Sequence, residues 1–350
     1  MQVKLPGRYG YTVCMRAAAG LTALSLAAAA CSAGHPAPGS PAQAAKPLGP
    51  APPLQASIAA ETLARPVSRD VLLPDGRDLL ILGGLDRAGQ SVPGVYRLDP
   101  SSGTVTRAGR LAQPTHDAAG AVIHGADVVF GGGVVSSTAT VQTWRQGAAG
   151  RVTGHLPSVR SDLAAATVGS TTYLVGGYDG SHWSSAVLAT TDGARFRVAA
   201  RLPVPVRYAA VAAVGGRIIV AGGLTPSGEV RSIQEIDPAT GQARILGKLP
   251  TALAHAAALV LGGHLYVAGG DAGGGASDRI WAIDPGTGKV TPAGTLPMGI
   301  SDAGAATVGS TGYLVGGTSR SALASVVVLR AGQAAARCAR GTATGSAWPR

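Results

Sequence analysis

Cysteine is almost absent: the 350 residues contain three, Cys14, Cys31 and Cys338, and none lies between 32 and 337. A body without cysteine has no disulfide framework, so packing and hydrogen bonding must hold it together. Aromatic residues make up only 4%, so the core has to be filled by Ala, Val, Leu and Gly, whose small size lets backbones approach closely. Also missing are H-E-x-x-H, a glycine-rich loop ending in Lys-Ser/Thr, and G-x-S-x-G. Their absence leaves zinc-hydrolase, phosphate-loop and serine-hydrolase readings without support. The seven histidines are not clustered at metal-ligand spacing, and neither a metal nor a cofactor is expected.

The formal net charge of +11 invites a nucleic-acid reading until it is divided by region. Residues 57–330 carry 22 Lys+Arg and all 18 Asp+Glu, and the remaining positive charges sit at the two ends. No dense basic stripe with interleaved aromatics crosses the body, so nucleic acid is not an expected partner.

Glycine, by contrast, is plentiful at 52 residues, and it is periodic. A short apolar run ends in Gly-Gly six times, with first glycines at Gly83, Gly131, Gly176, Gly222, Gly269 and Gly316. The steps are 48, 45, 46, 47 and 47 residues. The leucine of a Leu-Pro-like punctuation, at Leu63, Leu111, Leu156, Leu202, Leu249 and Leu296, repeats with the same five steps. Self-similarity at this period points to a repeat architecture and overrides a two-domain reading from length.

Residues 202–250 read as one unit of four short strands. A small-residue run from Tyr208 to Val214 turns at Gly215-Gly216 into the β-branched run Arg217 to Val220. After Gly222-Gly223 come a variable loop, a strand near Ser232 to Ile236, the turn Asp237-Pro-Ala-Thr-Gly241 and a strand near Ala243 to Leu246. The pattern is an antiparallel meander. Asp-Pro-x-x-Gly recurs at Asp99, Asp237 and Asp284: Asp opens the turn as a side-chain acceptor, Pro presets φ, and Gly supplies the left-handed position. The Ala-rich first strands are poor strand formers in isolation. They fit the innermost strands of blades crowded round an axis, and the fold expected is an all-β, six-bladed β-propeller of four-stranded antiparallel blades. The last unit lacks a fourth strand, whereas residues 56–66 align with the fourth-strand end at 106–114. An N-terminal strand is therefore expected to complete the sixth blade and remove the open edges.

The chain resembles the kelch-repeat propellers, whose mark is Gly-Gly after a hydrophobic run with Tyr, as in Tyr173-Leu-Val-Gly-Gly177, Tyr266-Val-Ala-Gly-Gly270 and Tyr313-Leu-Val-Gly-Gly317. It departs from them in lacking the usual fourth-strand tryptophan, replaced by Val105, Phe196, Ile245 or Val290. Galactose oxidase resembles the same propellers, but its copper and Cys-Tyr chemistry needs a cysteine this body does not have. A resemblance to the sialic acid mutarotases, extracytoplasmic kelch propellers without a cofactor, implies that acid-base work by Asp, His, Tyr and Arg is the alternative to a binding role.

Strand geometry puts the loop before the first strand and the loop after Gly-Gly on one face. Six residues beyond each marker leucine stand Arg69, Asp117, Asp162, Tyr208, His255 and Asp302. These should ring the mouth of the central channel, with Arg160, Arg207 and Trp183 beside them. No catalytic residue is assigned. The expected function is a monomeric, non-enzymatic binding module for a protein or carbohydrate ligand.

The N-terminus carries Lys4, Arg8 and Arg16 and then the apolar run 17–30, the pattern of a secretory signal over 1–30. A run of fourteen residues, interrupted by Thr22 and Ser25, is short for a bilayer span. The run ends at Cys31-Ser32 and resembles the lipobox of bacterial lipoproteins, departing from it at Ala28, where leucine is usual. That resemblance implies a lipid on Cys31 and a chain held at the outer face of the cell membrane, or simple secretion if the signal is only cleaved. Residues 31–55 read as a Pro/Ala-rich linker, 56–333 as the propeller, and 334–350 as a disordered tail.

Overall fold

The computed structural model describes residues 49–60 and 62–332. The signal segment, Cys31, most of the linker and the tail lie outside the described residues. Within them the chain is all β, and six antiparallel four-stranded sheets follow one another as blades. Blade 1 comprises Val71–Asp75, Asp78–Leu82, Gly94–Leu98 and Val105–Arg110. Blades 2 to 5 begin at Ala119–Ile123, Ala164–Val168, Ala210–Val214 and Ala257–Leu261 and repeat the same order.

Blade 6 takes Gly304–Val308, Thr311–Val315 and Val326–Ala331 from the end of the chain, and Leu54–Ile58 from its beginning. Leu54 opposes Ala331 and Ile58 opposes Val327, so the ring is closed by one antiparallel strand pair. The strand starts two residues before the expected boundary at 56. Leu54 is buried between blades 5 and 6, and the carbonyls of Pro52 and Pro53 accept hydrogen bonds from Tyr266 Oη and the Gly332 amide, both 2.8 Å. The last residues assigned to the linker are thus part of the fold.

Each first strand touches the first strands of both neighbouring blades, so these six strands line the axis. Their small residues are what the crowding requires: a Cβ on Gly120 would overlap Val71 of the preceding blade. The apolar core is divided among the six seams, one cluster per pair of adjacent blades. The marker leucines lie in these clusters; Leu111 and Leu249 are each 1% exposed. The Asp-Pro-x-x-Gly turns form as read: Asp284 Oδ1 accepts from the Gly286 amide at 2.8 Å, and Gly288 has φ 71°.

Candidate functional site

The six residues found six positions after each marker leucine all adopt a left-handed backbone, with φ between 53° and 60°. Only one other non-glycine described residue does so, His124 in a hairpin turn. Such a conformation is strained for residues like Tyr, His and Arg, and its cause is visible in the hydrogen bonds. The amide of Asp117 donates to the carbonyl of Arg69, Asp162 to Asp117, Tyr208 to Asp162, His255 to Tyr208, Asp302 to His255, and Arg69 back to Asp302, at 2.8 to 3.2 Å. Six peptide groups, one per blade, form a closed circle round the axis.

The side chains of the same six residues line a cavity of about 150 Å³ at that circle. The sequence register thus brings together Arg69, Asp117, Asp162, Tyr208, His255 and Asp302. Arg69 spans two carboxylates, with Nη1 3.0 Å from Asp117 Oδ2 and Nε 3.3 Å from Asp302 Oδ1. His255 Nδ1–H donates to Asp302 Oδ1 at 2.6 Å, and its ring stacks on Tyr208 with centroids 3.8 Å apart. The Tyr208 hydroxyl donates to Asp117 Oδ2 at 3.4 Å. Arg207 Nη1 reaches Asp162 Oδ2 at 3.1 Å.

This setting pushes the two carboxylates bonded to Arg69 in opposite directions. Burial dominates at Asp117, helped by the charges of Asp162 and Asp302, and outweighs Arg69, so its carboxyl is pushed up to about 7. Burial also acts on Asp302, but the hydrogen bond and charge of His255, with Arg69, outweigh it and hold the carboxyl below the ordinary range. Burial raises the Tyr208 phenol, assisted by Asp117 and Asp162. His116, which lies beside Asp117 with Nε2 3.5 Å from Oδ2, is lowered by burial and by Arg69.

Arg207 and Trp183 stand beside the cavity rather than in its lining. The Arg207 guanidinium lies over three aromatic rings, 4.7 Å from the Tyr178 centroid, 5.1 Å from Tyr208 and 5.3 Å from Trp183. Tyr178 and Trp183 meet edge to face at 4.9 Å. Tyr178 is absent from the sequence-based set, although it directly follows the Gly-Gly of blade 3. The signal available was its neighbours: an aromatic at this loop start, five residues from Trp183, beside an arginine of the next blade.

Arg160 is a correction. It is 4% exposed, and Nη1 donates to the carbonyl of Ala186 at 2.9 Å. Its stem packs against Gly177. The corresponding positions of the other blades hold Val67, Thr115, Val206, Leu253 and Ile300, all buried. Arg160 therefore fills a core site and ties the Gly-Gly of blade 3 to the third strand, away from the mouth.

A Kelch motif matches residues 252–297, which span the core of blade 5. No curated protein matches the chain. Among solved structures, one titled "Structure of YjhT" superposes with a TM-score of 0.67 and 17% sequence identity, covering 76% of this chain and 95% of that one. At that identity the likeness is one of fold. The chain is a six-bladed β-propeller of four-stranded antiparallel blades that carries a Kelch motif.

Proposed function

We propose that the protein is a binding propeller whose mouth cavity takes a small polar ligand, a sugar or the polar end of a peptide, outside the cell. The observation that carries this reading is convergence: six polar side chains of four kinds, one from each blade, line one cavity of about 150 Å³. Such a volume suits a few polar groups rather than a large apolar ligand. Ligand-observed NMR over a panel of monosaccharides and short peptides tests it. Tyr208→Phe and Asp162→Asn should weaken capture with little change in melting temperature; capture unchanged in both variants would remove the mouth as the site. The same reading holds the chain at the outer face of the membrane by a lipid on Cys31. A radioactive fatty acid should label the wild type and not Cys31→Ser, and an unlabelled wild type would leave simple secretion.

The opposed shifts of Asp117 and Asp302 favour a second reading, acid-base chemistry on a reducing sugar. An ionised Asp302 would accept the anomeric hydroxyl proton while neutral Asp117 donates to the ring oxygen. The ring C–O bond opens, and reclosure from the other face returns both protons. NMR exchange between anomers should then be accelerated and lost in Asp302→Asn. No acceleration across the panel would leave binding alone.

A further inference from the structure

One carboxyl near the mouth takes no part in its network. Seven residues after the marker leucine, the other blades hold Ala118, Leu163, Ala209, Ala256 and Ala303; blade 1 holds Asp70. Both Asp70 oxygens are shielded from solvent and neither makes a hydrogen bond of good geometry, only the amides of Asp70 itself and Gly304 lying close by. Its Cβ lies against the Gly84 position of its own blade, and its carboxyl against Gly304, the first strand residue of blade 6. The other blades begin that strand with Val71, Ala119, Ala164, Ala210 and Ala257. A Cβ on Gly304 would overlap Asp70 Oδ2. Two departures from the repeat, a glycine and an aspartate, therefore fit each other across one seam.

That seam is the one where the chain closes on itself. Leu54–Ile58 pairs with Val326–Ala331 in blade 6, and the peptide circle is completed by the bond from the Arg69 amide to Asp302. At the seam Asp70 lies among Val67, Leu72 and Gly84 of blade 1 and Gly304 of blade 6, all uncharged; it also lines the mouth cavity, together with the charged and titratable Arg69, Asp117, Asp162, Tyr208, His255 and Asp302. The adjacent charged residues, Arg69 and Asp302, are bonded to each other.

We propose that Asp70 is a proton-operated lock on the seam between the last and first blades: neutral, it packs as a small side chain; ionised, it loosens the seam. Burial without a charged partner or a well-aligned donor disfavours the ionised form. It pushes this carboxyl up to about 7, the amides of Asp70 itself and Gly304 offsetting only part of the effect. The sign follows from proton linkage. The folded seam holds the proton more tightly than the unfolded chain does, so stability falls as pH rises from the ordinary carboxyl range towards 7, and levels off above it.

Hydrogen exchange by mass spectrometry, expressed as protection factors to remove the intrinsic pH dependence, reads the lock directly. In the wild-type chain the protection of 54–58 and 304–308 should drop by tenfold or more between pH 5 and pH 8. Asp70→Asn should abolish most of that drop, and the strands 164–168 and 210–214 should be unaffected by the substitution. Asp70→Ala, the residue four other blades carry at this position, is the second variant, and should melt several degrees above the wild type at pH 8 but not at pH 5. Equal pH profiles in wild type and both variants would overturn the lock, as would a drop confined to strands away from the seam. If neither variant folds, carboxyl titration of the wild-type Asp70 by NMR decides: ionisation below pH 5 refutes the proposal.

Discussion

At the scale of single residues, the mouth positions do two jobs with separate requirements. The backbone of Asp162 must hold φ near 60° to donate to Asp117 and accept from Tyr208, while its side chain meets Arg207. Asn tolerates the left-handed region about as well as Asp, and a β-branched residue does not. Asp162→Val should therefore cost about 1–3 kcal/mol more than Asp162→Asn in urea unfolding; equal costs would mean the peptide circle contributes nothing. The register of the marker leucines was enough to find these six residues in the sequence. Their backbone conformation was not legible, because Arg, Tyr and His carry no left-handed preference, and only the circle of amides imposes it. Arg160 was misplaced for the opposite reason: a charged side chain next to polar loop residues suggests solvent, although its column in the repeat is a core column.

At the scale of the element, the repeated glycines differ in what they do. Gly222 has φ 66°, and a Cβ there would overlap the carbonyl of Leu253 in the next inter-blade segment. Gly215, in the hairpin turn, has φ 58° with nothing within 4 Å of a Cβ. Gly215→Ala should cost about 1 kcal/mol, the left-handed penalty alone, whereas Gly222→Ala should cost several times as much because the blades themselves must part. Thermal melts of the two variants check this, and equal losses would refute the close-approach role. Removing 54–58 should lower the melting temperature by 10 °C or more, since it opens the edge of blade 6 and uncovers Leu54's cluster. An unchanged melt would show that the closing strand is dispensable. The strands, their order and this closure were readable from period and turn chemistry; the exact start at Leu54 was not, because the preceding prolines look like linker until their carbonyls are seen to be used.

For the whole molecule, pH is the variable that separates its buried carboxyls. Asp70 and Asp117, both raised by burial to about 7, bind protons more tightly folded than unfolded. Each withdraws stability as pH climbs from the ordinary carboxyl range to 7. Asp302 is held low and withdraws stability only as pH falls below that range. The melting temperature should thus peak in mildly acidic solution, near pH 5, and decline toward pH 8. A profile that rises steadily to neutrality would contradict the burial of both groups.

The peptide circle has an electrostatic consequence as well. In a helix, aligned amides point along the axis and leave partial charge at each end. Here the six donor-to-acceptor bonds run head to tail round the circumference, so their components in the plane of the circle cancel, like the spokes of a wheel, and no orphan amides are left pointing into the mouth from this circle. The circle therefore brings no net in-plane dipole to whatever enters the mouth. Whether the mouth prefers an anion, a cation or an uncharged guest is set chiefly by the side chains of Arg69, Asp117, Asp162, Tyr208, His255 and Asp302, and can be rewritten there by any residue that keeps the left-handed backbone.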